Sequence, residues 1–135
     1  MNARPVVLAL LCAALAGGCG SPEGPVAGEL EVRLTTPNSD DRAVLFLLRG
    51  TQTAVSAPSG SSYRVLQSPL RTDTLRVLVI APQGGHLAAG TLVRVVVPDT
   101  RQAGSYSAVP LDVASTTYAA RAVPFTGYQL AVVKP

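Results

Sequence analysis

The chain has 135 residues, eleven basic and eight acidic side chains, one histidine, two cysteines and no tryptophan. A near-neutral balance gives no footprint for nucleic acid, and one histidine beside so few cysteines excludes the familiar zinc sites and cysteine–histidine chemistry. About a hundred residues beyond the first segment suit one domain with one core.

The first segment has a single positive charge, Arg4, then an apolar stretch from Val6 to Ala16, then Gly17, Gly18, Cys19, Gly20 and Ser21. A short basic start, an apolar middle and a small-residue exit define a secretory signal. The apolar run is shorter than the ~20 residues needed to span a bilayer.

The run Leu15-Ala16-Gly17-Gly18-Cys19 resembles the lipobox of bacterial lipoproteins, with Ala16 where leucine is usual and Leu15 one place earlier. The resemblance implies a diacylglyceryl group on the Cys19 sulfur, cleavage before Cys19 and acylation of the new amine. An ordinary signal peptide cut nearby would instead leave Cys19 as a free thiol. Cys12 lies in the apolar stretch and leaves with the signal, so Cys19 has no disulfide partner. A lone exposed thiol is poorly suited to an oxidising compartment, which favours the lipid. Two or three chains hold a protein firmly to a membrane. In the lipoprotein family, Asp after the cysteine retains proteins at the inner membrane of many Gram-negative bacteria. Here the residue is Gly20, which points to the outer membrane if the host has one.

Removal of residues 1–18 leaves 117 residues, with ten basic and eight acidic side chains once Arg4 is gone. Residues 19–28 read as a lipid-anchored flexible tether, reaching on the order of 16 Å by random-coil scaling. Residues 29–135 read as the domain.

Strands follow in order. Leu30, Val32 and Leu34 alternate with charges over Glu29–Thr35, the pattern of a half-buried strand. Pro37-Asn38-Ser39-Asp40-Asp41 is turn chemistry. Ala43–Leu48 is continuously apolar between Arg42 and Arg49, which predicts a central strand buried on both faces. Thr51–Ser62 reads as a long loop with a short strand near Ala54-Val55. Tyr63–Gln67 reads as a strand ending before Pro69. Thr74–Ile80 and Thr91–Val97 are rich in β-branched residues, with a turn at Pro82-Gln83-Gly84-Gly85 between them. Ser107–Ala114, Tyr118–Ala122 and Tyr128–Val133 complete the set. Seven to nine short strands with frequent turns predict an all-β domain, an antiparallel two-sheet β-sandwich of immunoglobulin-like type.

The strands Ala43–Leu48 and Leu75–Ile80 and the step Ala89–Val97 resemble a cohesin-type sandwich, within the wider group that includes cellulose-binding modules. The resemblance implies binding of a protein through one sheet face, or of polysaccharide. Some relatives stack sugars on tryptophan and tyrosine rows, and this chain has no tryptophan.

Chemistry-bearing residues are few. His86 sits in a Gly-rich turn, and no Gly-x-Ser-x-Gly elbow accompanies it, so no catalytic residues are assigned. Asn38, Asp40 and Asp41 form the one plausible calcium cluster, short of the six or more oxygens that ion takes. Arg76 and Arg94 would form a basic stripe for anionic polysaccharide or lipid headgroups if their strands paired. Tyr106 and Tyr118 suit corner positions, where a hydroxyl bonds backbone.

No cofactor is expected. The reading is a cell-envelope lipoprotein, anchored through Cys19, whose sandwich binds or scaffolds an envelope protein or a glycan. The alternative is an assembly subunit of an envelope complex without a soluble ligand.

Overall fold

The computed structural model describes residues 24–135. The signal segment and Cys19 lie outside the described residues. The domain is all-β: two antiparallel four-stranded sheets packed face to face. The strands are β1 (Gly28–Thr35), β2 (Asp41–Arg49), β3 (Ala54–Ser56), β4 (Arg64–Arg71), β5 (Thr74–Ile80), β6 (Gly90–Val97), β7 (Ser107–Ser115) and β8 (Gln129–Val133). The first sheet runs β3-β6-β1-β8 and the second β4-β5-β2-β7. Only the β4–β5 hairpin connects neighbours within a sheet; every other connection crosses between sheets.

Period-two alternation sends one face of each central strand inward. Leu30 and Val32 of β1, Val44, Phe46 and Leu48 of β2, Val77 and Val79 of β5, and Val95 and Val97 of β6 are all essentially free of solvent. A bulge in the β1–β6 ladder at Val32/Arg33 lets both Leu92 and Val93 turn inward. The core therefore lies between the sheets, along their length.

Three expectations are corrected. The β2 run is sealed on one face only: Val44, Phe46 and Leu48 are fully buried, while Ala43, Leu45 and Leu47 are only partly buried, because nothing among the described residues covers that side. Strand β4 continues through Pro69 to Arg71. It is an edge strand, so the proline's missing N–H need not break a ladder bond. The segment Tyr118–Ala122 is not a strand. It winds around buried Ser115, whose Oγ accepts from the N–H of Thr117 and Ala119, both at 3.3 Å. One isolated bridge, Ala114 to Ala120, is all that remains of the expected pairing.

At the end where β1 begins, a 3-10 helix (Thr100–Ser105) links β6 to β7. Its neighbour Tyr106 donates its hydroxyl to the Thr51 carbonyl, the corner role the sequence suggested. Its ring lies against Gly50, which has φ +124°, and a Cβ there would come within 2.2 Å of the ring. Glycine is thus required twice over, by backbone and by contact.

Candidate interaction surface

The outer faces of the two sheets differ in kind. On the first sheet the charges are matched. Arg33 pairs with Glu31 at 3.0 Å, and Arg94 pairs with Glu29 and donates to Ser59 Oγ at 2.8 Å. Thr91 also donates to Glu31 at 3.0 Å. The Arg33 guanidinium holds the Glu31 carboxyl below its usual value, more than burial raises it.

The outer face of the second sheet is apolar with unmatched cations. Residues directly opposite on antiparallel strands share a face, so the ladder register gives its rows. One row is Leu66, Leu78, Leu45 and Asp112. The next is Ser68, Arg76, Leu47 and Val109. Toward the β2 start the row is Arg64, Ile80, Ala43 and Ala114; toward its end it is Arg71, Thr74, Arg49 and Ser107. Leu66 is 43% exposed and Val109 46%, large values for side chains in ordered strands. Leu45, Leu78, Asp112 and Ala114 line a shallow depression in the middle. The side chains of Arg49, Arg64, Arg71 and Arg76 make no ion pair or hydrogen bond among the described residues. The face's two carboxylates are engaged locally: Asp112 accepts from the Val113 N–H at 2.9 Å, and Asp73 from the Thr74 hydroxyl at 3.2 Å. Four arginines against two aspartates leave the face cationic.

Arg76 and Arg94 therefore form no common stripe. Strands β5 and β6 belong to different sheets, and Arg94 is neutralised by Glu29. Arg76 instead joins Arg49, Arg64 and Arg71. The missed signal lies in the arginines bracketing the apolar runs, at positions in phase with Leu45 and Leu47.

Asn38, Asp40 and Asp41 come together at the far end of the sandwich, around Arg121. Asp41 is fully buried. Its Oδ1 accepts from Arg121 Nε at 3.1 Å, Arg121 Nη2 at 3.0 Å and the Tyr128 hydroxyl at 2.7 Å, and its Oδ2 from Thr36 at 2.5 Å. Asp40 accepts from Arg121 Nη2 at 2.5 Å, and Asn38 Nδ2 donates to the Tyr128 oxygen at 2.6 Å. The positive charge these carboxylates meet is a guanidinium. Their hydrogen bonds, Asp40's first, push the Arg121 pKa above its ordinary value. Among the described residues no group of three or more His, Cys, Asp or Glu side chains has metal-binding geometry. His86 is exposed nearby and lines a depression with Ser39, Asp40, Arg42 and Thr116. Tyr118 makes no corner hydrogen bond; it is exposed, with φ 64°, and Arg42 lies 5.2 Å from its ring centre.

Beside the 3-10 helix, Arg101 holds the Asp99 carboxyl down to about 2 from 3.8. Carboxylates with depressed folded values bind fewer protons folded than unfolded, so stability grows as pH rises through their titration. Glu31 and Asp99 thus contribute fully above their ordinary values of 4.5 and 3.8; Glu31 loses its contribution as pH falls below 4.5, and Asp99 loses its own as pH falls from 3.8 toward 2. Asp99→Asn should shallow the acid limb of denaturant midpoint against pH below 3.8 and leave the midpoint at neutral pH little changed apart from the lost ion pair.

Compared with protein-family models, curated proteins and solved structures, the chain matches none.

Proposed function

We propose that the chain is a cell-envelope lipoprotein, tethered through lipid on Cys19, whose cohesin-like sandwich is a non-enzymatic binding or scaffolding module. The observation that carries the binding role is the outer face of the second sheet. It presents leucine and valine side chains amid four unpaired arginines, while the opposite sheet neutralises its own charges. Exposed apolar patches rimmed by polar groups mark interaction sites. Arginine is favoured at such sites because its planar guanidinium binds carboxylates bidentately. The module's partner is thus anionic and partly apolar. An envelope protein with an acidic rim meets that description better than a neutral glycan, for which the face offers no aromatic platform.

The face can be altered without touching the core, since Leu66 and Val109 are nearly half exposed. The native protein should elute from gel filtration of mild-detergent extracts within a complex. Leu66→Glu with Val109→Glu should return it to the monomer position with its thermal transition intact. A wild-type protein that elutes as a monomer, or a variant that stays in the complex, would overturn the assignment of this face.

A further inference from the structure

The residues entering β1 and the β4–β5 hairpin belong to one end of the sandwich, and direct contacts join them. The Val26 N–H donates to Asp99 Oδ1 at 3.2 Å, and its carbonyl accepts from the Thr100 N–H at 2.8 Å. Asp99 caps the 3-10 helix, and Tyr106 closes it. Tyr106 in turn bonds Thr51 and lies on Gly50, whose N–H donates to the Asp73 carbonyl at 2.8 Å in the hairpin turn. The tether is therefore fixed to the domain from Val26 onward, and the hairpin tip is fixed relative to it.

This end has its own surface chemistry. Val26 is 48% exposed and Leu70 47%. Arg49 and Arg71 line one depression with Leu47, Leu70, Asp73 and Thr74. Two arginines without ion pairs against one carboxylate leave the depression positive. Cys19 lies seven positions before Val26, so a lipid on Cys19 keeps this end within about 25 Å of the bilayer at full extension.

We propose that this end is a lipid-contact surface for the bilayer holding the anchor. Arg49 and Arg71 meet anionic headgroups, and Leu70 and Val26 enter the interfacial layer. The proposal rests on the Cys19 anchor. It stands the strands upright on the membrane and leaves the middle of the second sheet open sideways to partners. Each arginine near an anionic surface strengthens contact by about fivefold at physiological ionic strength.

The test uses native protein, purified in detergent and reconstituted into phosphatidylcholine vesicles with or without phosphatidylglycerol. Arginine modification by phenylglyoxal is followed by peptide mass. Arg49 and Arg71 should react about fivefold more slowly or less when phosphatidylglycerol is present, and recover in high salt. Arg64, at the opposite end of the same sheet, should react equally in both vesicles. Equal rates at Arg49 and Arg71 in protein that floats with both vesicles would overturn this proposal alone. Slowing of Arg64 and Arg76 together with them would also overturn it, by showing that the sheet lies flat. Failure to float with pure phosphatidylcholine vesicles would overturn the anchor, and this proposal with it.

Discussion

Asp41→Ala should destabilise the domain by about 3 kcal/mol, read as a lower urea midpoint at unchanged slope. The side chain is fully buried and accepts four hydrogen bonds, from Thr36, Tyr128 and two nitrogens of Arg121. Its backbone carbonyl also accepts from the Leu87 N–H at 2.6 Å. The residue thus joins the β1–β2 turn, the β5–β6 loop and the segment before β8. Breaking a buried ion pair by removing one partner costs about 3–5 kcal/mol, because the other charge is stranded. Here the cost falls at the low end, since Arg121 is 23% exposed and keeps Asp40. The neighbouring change makes the contrast. The Asp40 side chain is 54% exposed, and Asp40→Ala should cost under about 1 kcal/mol. Equal losses from the two adjacent aspartates would refute the distinction between a buried hub and a surface pair.

Phe46→Ala should cost about 3–5 kcal/mol. Phe46 is a fully buried aromatic on the central strand of the second sheet, opposite Val77 of β5 and Pro110 of β7. Truncation leaves a cavity between two sheets whose ladders resist collapse. Against a typical total of about 5–15 kcal/mol, the variant would be marginal at physiological temperature. Its neighbours decide whether β2 is covered on one side or two. Leu45→Ala and Leu47→Ala each remove three carbons from the outer face, against six for Phe46→Ala, and each should cost under about 1 kcal/mol. Losses near that of Phe46→Ala would mean that the outer face is also sealed.

The fold was legible where the pattern has a period. Glu29–Thr35 alternates, and the ladder places Leu30, Val32 and Leu34 inward as that alternation requires. Ala43–Leu48 has no alternation, so its two faces cannot be told apart locally. Its exposed side follows from the absence of a third layer, which is a property of the whole fold. Pro69 stops a central strand but not an edge one, and edge position is set by strand order. Tyr118–Ala122 lost its strand to a local competitor, the Ser115 hydroxyl.

The candidate sites divide in the same way. Asn38, Asp40 and Asp41 do cluster, as their spacing suggested, but their partner Arg121 lies 80 positions from Asp41. No local pattern announces such a pair. Arg76 is exposed, but Arg94 is not its neighbour, because β5 and β6 are adjacent in sequence and lie in opposite sheets. Arg49 and Arg71 flank apolar runs, a visible feature whose meaning depended on seeing both in one depression.

The proposed function places this sandwich at a membrane to which Cys19 holds it. The most direct measurement is the mass of the N-terminal peptide of the native protein from its own envelope. The expected result is a chain that begins at Cys19 and carries a diacylglyceryl thioether on that sulfur. A mature chain with an unmodified Cys19 thiol, or one that begins at another residue, would contradict it.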